Sequence, residues 1–268
     1  MALLKVLRHA QRYGIASVVG KIFAELPAYL RRIHLWRMRR CGCCERLTIF
    51  VSNGVSSEFC TCIFCSANER YELLAAELRE TYGSELSQME VLELDPHSPL
   101  RKMLSCARKH VRSFYEPEQE RGSLRPDGTV CQDITALTYE NESFDLIVSS
   151  DVLEHVPCLE SAFKETRRVL RPGRVHLFTV PPRSKTKKRA EMVGMEIHHV
   201  EPPEYHCDPL CSKGILAFWD LGPDLDEVFG SDSLRFSVVR GPSGSDKRVV
   251  WIAQRPTHQT DRTSDSEP

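Results

Sequence analysis

Six of the eleven cysteines in this 268-residue chain fall between Cys41 and Cys65. Cys41-Gly42-Cys43-Cys44 and Cys62-Ile63-Phe64-Cys65 form two CxxC knuckles separated by residues 45 to 61, a spacing within the zinc-ribbon range. Each knuckle brings two thiolates together through a tight turn, and four thiolates fill a tetrahedral Zn²⁺ site with no open position. Cys41, Cys44, Cys62 and Cys65 are therefore the candidate ligands of a structural Zn²⁺, with Cys43 and Cys60 as spare thiols that could replace Cys44 or Cys62. Between the knuckles, Leu47 to Val51 is rich in strand formers and Ser52-Asn53-Gly54 signals a turn, as a ribbon hairpin needs. Arg46 with Phe50, Phe59 and Phe64 is a sparse basic and aromatic set, which favours a docking or stabilising module over a direct reader of nucleic acid.

A second group with chemical potential sits where apolar runs end in acids and hydroxyls. Ser143 to Pro157 reads SFDLIVSSDVLEHVP: a strand core running straight into Ser149, Ser150, Asp151 and His155. Comparable ends are Glu93-Leu94-Asp95 after Met89 to Leu94, Glu116 after Arg112 to Tyr115, and Asp133-Ile134 after Thr129 to Cys131. The elements that must position them alternate. Helices are expected over Glu69 to Thr81, with Tyr71, Leu74, Leu78 and Tyr82 at helical spacing, and over Pro99 to Val111. A third follows Pro157, placing Leu159, Ala162, Phe163, Thr166, Val169 and Leu170 on one face before Arg171-Pro172-Gly173. Arg174 to Val180 is then a strand, and Leu234 to Arg240 with Arg248 to Gln254 reads as an antiparallel hairpin. The expected fold is an α/β, Rossmann-like, parallel sheet with a terminal antiparallel hairpin, behind an N-terminal helix and a small zinc ribbon.

On these residues the chain resembles the type 11 family of class I S-adenosylmethionine-dependent methyltransferases, over roughly residues 89 to 182. The likeness is carried by SFDLIVSSDVLEHV and ETRRVLRPGRVHLFTVPP. CIFCSANER before a helix, and Glu204-Tyr205-His206-Cys207-Asp208-Pro209 after the fifth strand, further resemble a zinc-ribbon-bearing subgroup. The resemblance implies S-adenosylmethionine as cofactor and a site at the carboxyl ends of the strands, where the strand order reverses. There Glu93, Leu94 and Asp95 would line the amino-acid part, and Glu116 would accept from the ribose hydroxyls. Asp133 and Ile134 would contact the adenine, and Ser149, Ser150 and Asp151 would flank the methyl group. His155 is either a general base for an acceptor hydroxyl or an orienter of its loop.

One feature departs from that family. Asp95-Pro96-His97-Ser98-Pro99 stands where a glycine-rich turn normally follows the first strand. Without GxGxG a dinucleotide is excluded, because its pyrophosphate needs close backbone approach at a helix N-terminus. S-adenosylmethionine carries no phosphate, and Ser98 as N-cap of a helix from Pro99 could still face its carboxylate.

Composition is that of an ordinary globular chain: 41% hydrophobic, 27% charged, net charge -1. Bulk charge therefore points to no nucleic-acid or membrane partner. Residues 1–40 are locally basic, and Leu4, Leu7, Ile15, Val18, Ile22 and Leu26 fall on one side of an expected helix. That helix would pack on its neighbour, lie on an anionic membrane as a peripheral contact, or serve as an organelle presequence. Residues 41–66 are expected to form the ribbon, 67–256 the methyltransferase-like domain with a substrate-covering insertion at 183–230, and 257–268 a disordered tail. Within the insertion, Arg183, Lys185, Lys187, Lys188 and Arg189 form a basic run that meets either an anionic acceptor or solvent. His198, His199, His206, Cys207 and Cys211 fit no standard metal spacing. Phe218 and Trp219 read as core or pocket wall.

The cysteine distribution fits a reducing compartment, so a cytoplasmic protein is expected, with mitochondrial or membrane-peripheral placement as the alternatives. Three functions follow: methyl transfer to a small molecule or glycan, an inactive methyltransferase-fold scaffold that uses the ribbon for interaction, or an RNA or protein methyltransferase. The acceptor and the oligomeric state are left open by the residues alone.

Overall fold

The computed structural model describes residues 36–51, 60–206, 214–240 and 248–257. The expected helix of residues 1–35, the Ser52-Asn53-Gly54 turn, Cys207, Cys211, the turn at 241–247 and the tail from 258 lie outside them. Two compact units divide the chain: residues 1–41 with 45–69, and residues 42–44 with 70–268.

In the first unit, β1 (Trp36–Arg40), β2 (Leu47–Val51) and β3 (Thr61–Cys62) form an antiparallel sheet in that order. Strand β1 occupies the end of the basic 1–40 segment, beyond the Leu4 to Leu26 face read as a helix: Trp36 to Arg40 pair with Val51 to Leu47. Five residues carrying three arginines form a strand here because the partner strand supplies backbone hydrogen bonds. Phe50 supplies the core, and the Arg39 guanidinium covers the Phe50 ring at 3.5 Å.

The second unit is built on a seven-stranded sheet. Helix α1 (Glu69–Tyr82) leads to β4 (Glu90–Glu93), a single helical turn α2 (Arg101–Leu104), β5 (Lys109–Phe114), β6 (Val130–Cys131) and β7 (Phe144–Ser150). Helix α3 (Leu159–Val169) runs directly into β8 (Leu170–Thr179). Short strands follow: β9 (Lys187–Lys188), β10 (Ala190–Val193), β11 (Glu196–His199), β12 (Tyr205–His206), β13 (Ile215–Leu216) and β14 (Trp219–Asp220). Helix α4 (Leu225–Phe229), β15 (Arg235–Arg240) and β16 (Val249–Gln254) end the unit. The sheet order is β15-β16-β8-β7-β4-β5-β6. All pairs from β6 to β8 are parallel and β16 is antiparallel to both neighbours, which bears out the parallel sheet with a terminal hairpin.

Every residue of β7 is buried, as a central strand covered on both faces requires. One face packs Phe163, Phe178, Trp251 and Leu225; the other packs Leu92, Phe144, Ile147 and Leu170. Each such side chain contributes about 1.5–3 kcal/mol on burial. The expected apolar face of α3 is the observed one, with Leu159, Ala162, Phe163, Thr166 and Val169 buried. Gly173, at φ +78°, lets β8 fold back after α3, where a Cβ would stand 2.9 Å from the Thr257 methyl carbon.

The expected helix after β4 is shorter than its pattern. The helix placed over Pro99 to Val111 is only Arg101–Leu104, and β5 already begins at Lys109. Lys109 and His110 satisfy a strand by pairing beside Glu90 and Val91, and the Arg108 side chain bonds Glu90 at 2.8 Å. Tertiary pairing outweighs the local helical pattern.

Candidate functional site

The strand order reverses between β4 and its two neighbours β5 and β7, so ligand space is expected outside their carboxyl ends. Four acids stand there. Asp95, Glu116 and Asp133 each lie two residues past the ends of β4, β5 and β6, and Asp151 directly follows β7. A cavity of about 340 Å³ opens at the β5 and β6 ends, lined by Tyr115, Glu116, Pro117, Gln119, Glu120, Arg121, Cys131 and Asp133. A larger hollow of about 710 Å³, lined by Gly173, Asp232, Arg235, Gln254, Pro256 and Thr257, contains none of these acids.

The acids at β4 and β7 are held from α1, a contribution the sequence did not disclose. Tyr71 donates its hydroxyl hydrogen to Asp95 Oδ2, while Asp95 Oδ1 accepts from the His97 backbone at 2.8 Å. Arg70 pairs with Asp151 Oδ2, Arg248 approaches the same oxygen at 3.8 Å, and Thr179 donates to Oδ1 at 3.2 Å. Asp151 itself adopts φ +50°, an uncommon conformation for a residue with a Cβ. Burial, reinforced by the Asp95 charge, pushes the Tyr71 phenol above its usual range, so Tyr71 stays protonated and donates. Tyr71 gave only a helical-face signal and Arg70 none, since nothing local marks residues whose partners are 24 and 81 positions away.

Among the remaining expected residues, Leu94 lies between the two core faces and donates its backbone N–H to Val148 at 2.9 Å. Asp133 Oδ1 is engaged by the Thr135 amide and hydroxyl, at 2.8 and 2.7 Å. Ile134 is buried in the core. Ser150 bonds Thr179 at 3.0 Å. Two assignments do not fit the geometry. Ser149 is 1% exposed with its hydroxyl on His176 Nε2 at 2.8 Å, and Glu93 is 1% exposed with Oε2 on His110 Nε2 at 2.8 Å. Strand alternation turns both inward, and burial raises the Glu93 carboxyl above its usual range. The Ser98 hydroxyl accepts the Leu100 amide at 3.0 Å rather than capping a helix from Pro99.

His155 donates from Nδ1 to the Leu216 carbonyl at 2.8 Å, which leaves Nε2 as the basic nitrogen. Its neighbour Glu154 is 2% exposed, and neither carboxylate oxygen has a hydrogen-bond partner. The 183–230 segment is tied to this loop, with the Phe218 amide on the Glu154 carbonyl at 2.8 Å. Phe218 and Trp219 are core residues. Much of the basic run is internally neutralised: Arg183 and Arg189 meet Asp220 at 3.0 and 2.9 Å, and Lys187 meets Glu201 at 2.9 Å.

The sulfurs of Cys41, Cys44, Cys62 and Cys65 all lie within 4.8 Å of one another, and Cys41 and Cys65 are 3.6 Å apart. Four thiolates at about 2.3 Å from a tetrahedral ion would be about 3.8 Å apart, so the set can hold a metal. Burial works against ionising Cys62, but amide donors from Cys65 and Phe64 outweigh it and bring its pKa to about 7. Cys43 is spent on the Tyr71 carbonyl at 3.4 Å, which favours Cys44 as the ligand.

The fold is that of the class I S-adenosylmethionine-dependent methyltransferases. Residues 72–178 match the type 11 family described as a methyltransferase domain. No curated protein matches. Among solved structures, a protein of Pyrococcus horikoshii OT3 is 14% identical with a TM-score of 0.45, covering 69% of this chain and 89% of its own. An S-adenosylmethionine dependent methyltransferase of Mesorhizobium loti is 13% identical (TM-score 0.40; 64% and 93% covered). The 1,6-didemethyltoxoflavin-N1-methyltransferase of Burkholderia thailandensis is 13% identical (TM-score 0.43; 68% and 76% covered).

Proposed function

We propose that this chain transfers a methyl group from S-adenosylmethionine to a small-molecule or glycan acceptor at the carboxyl edge of β4, β5, β6 and β7. The observation that carries this reading is the row of Asp95, Glu116, Asp133 and Asp151 at four neighbouring parallel strand ends, with the 340 Å³ cavity at its β5–β6 side. A zwitterionic amino acid joined to a nucleoside needs an anion and a cation at one end and acceptors for its hydroxyls at the other. Asp95 and Arg70 supply the first pair and Glu116 the second, with Asp133 beside the base. The cofactor, when bound, supplies a sulfonium methyl already activated for displacement. The protein's part is alignment and exclusion of water, with His155 Nε2 available to take the proton of a hydroxyl acceptor.

A small acceptor is favoured over RNA because the arginines of the insertion's basic run are spent on Asp220 and Glu204. Zn²⁺ is assigned to Cys41, Cys44, Cys62 and Cys65 as a structural ion, since four thiolates leave no catalytic position. The clustering of six cysteines at metal-binding spacing favours a reducing compartment. Among the described residues no helix is long and apolar enough to cross a membrane.

The Tyr71–Asp95 and Arg70–Asp151 pairs favour a second reading, a scaffold whose α1 side chains satisfy the acids in place of a ligand. Calorimetric titration with S-adenosylhomocysteine separates the two. Saturable heat that weakens at least tenfold in Asp95→Ala supports the enzyme; no heat and no thermal shift at saturating ligand assigns the scaffold.

A further inference from the structure

We infer that Glu154, His155 and His206 form a second metal site, separate from the cysteine cluster, for a divalent transition-metal ion such as Zn²⁺. One ligand atom from each residue lies within 4.8 Å of the others. Glu154 Oε1 stands 3.8 Å from His155 Nε2 and 3.7 Å from His206 Nδ1. Nitrogen and oxygen ligands about 2.1 Å from a tetrahedral ion are roughly 3.4 Å apart, so a contraction of a few tenths of an ångström brings each imidazole to that distance from Glu154, the two imidazole nitrogens lying within 4.8 Å of each other. The two imidazoles meet edge to face, with centroids 4.8 Å apart.

Three observations point to an ion and not to a hydrogen-bonded cluster. First, the separations are too long for hydrogen bonds, and both Glu154 oxygens are buried without a partner. A carboxylate removed from water without a counter-charge is strongly disfavoured. Second, each histidine is fixed by its far nitrogen, leaving the near one facing Glu154. His155 Nδ1 bonds the Leu216 carbonyl at 2.8 Å, and His206 Nε2 bonds Glu204 Oε1 at 3.1 Å. A backbone carbonyl and a carboxylate in these places are the outer partners that metal-bound imidazoles use to set tautomer and orientation. Third, the ligands come from backbone held by hydrogen bonds: a 3-10 turn, Leu153–His155, two residues beyond β7, and the β12–β13 pair.

Two histidines and one carboxylate leave at least one coordination position open, unlike four thiolates. The ligand class suited to that position is an oxygen donor such as a hydroxyl, phenolate or carboxylate. At an ion-bound acceptor, the lowered pKa of a coordinated hydroxyl would take over the task otherwise given to His155 as base. Ion binding itself does not depend on methyl transfer.

The test is metal analysis of the full chain after Zn²⁺ loading and exhaustive dialysis. The wild type should hold about two ions, Glu154→Gln and His206→Asn about one each, and Cys62→Ser/Cys65→Ser about one. Cobalt gives an independent readout. Wild type should show sulfur-to-cobalt charge transfer together with nitrogen and oxygen ligand-field bands, and His206→Asn should lose only the latter. Glu204→Gln should weaken the second ion by about 10- to 100-fold. His206 is half-buried and its replacement tolerable, so the cobalt comparison stands even where Glu154→Gln fails to fold. One ion per wild-type chain, or the full wild-type content in His206→Asn, overturns the inference. Neither outcome bears on S-adenosylhomocysteine binding, which is titrated separately.

Discussion

The cysteine cluster and the strand-end acids are both built from charged or ionisable groups brought close, yet they are assembled in opposite ways. Each pair of thiols comes from one knuckle, three residues apart in the chain, and the four sulfurs converge within 4.8 Å. Asp151 is held by Arg70, 81 positions earlier, and approached by Arg248 from the terminal hairpin. The first cluster is made by turns; the second is made by the sheet. Local geometry should therefore fail with the metal in one case, and site geometry with a single distant partner in the other.

Removing the ion is the strongest way to break this contrast. Cys62→Ser/Cys65→Ser should abolish zinc at the cluster and unfold the ribbon, since structural zinc contributes about 10–16 kcal/mol in small zinc domains. Limited proteolysis cutting within residues 36–69, while the sheet unit keeps its thermal transition, is the expected pattern. Asp151→Asn should do the reverse. Leaving two guanidiniums around a neutral amide costs about 3 kcal/mol. The thermal midpoint of the sheet unit should fall with zinc content unchanged.

A pH series sharpens the contrast further. His176 lies fully buried beneath the β7 end, and burial pushes its pKa down to about 3, below the usual 6.5. The unfolded chain therefore binds a proton that the folded chain refuses between about pH 6.5 and pH 3. Its contribution is full above pH 6.5 and is lost as pH falls, by up to about 1.4 kcal/mol per unit. The difference in unfolding free energy between wild type and His176→Gln should narrow across that window; a constant difference would show that His176 titrates normally. The smallest effect is expected for Tyr71→Phe, which removes one hydrogen bond to Asp95 and costs about 1 kcal/mol. Its sharper readout is S-adenosylhomocysteine affinity. Tyr71 competes with a ligand ammonium for Asp95, so the variant should bind at least as tightly as wild type.

Much of the fold could be read from residue order. Alternating apolar runs disclosed the parallel sheet, the face of α3 matched except for Leu170, which begins β8, and the CxxC spacing named the four thiols that converge. The reading failed where pairing overrode local pattern, as in residues 105–111, which looked helical and whose last three begin β5 beside β4. At the site, Asp95, Glu116, Asp133 and Asp151 were recognisable because each ends a strand. Ser149 and Glu93 are turned inward, because the pleat direction at a strand end depends on neighbours not visible in the local sequence. Arg70, Tyr71, Arg248 and His110 carried no local sign of their partners.

Sequence alone thus determined what short-range chemistry can encode: periodicity, turns, the cysteine spacing and the succession of strands and helices. Tertiary structure alone decided which side chain meets which acid, that His206 joins Glu154 and His155 across 51 residues, and which hydroxyls turn inward. The reason is physical. Periodicity follows from backbone geometry within a few residues, whereas a buried charge acquires its partner only when strands distant in the chain are laid side by side.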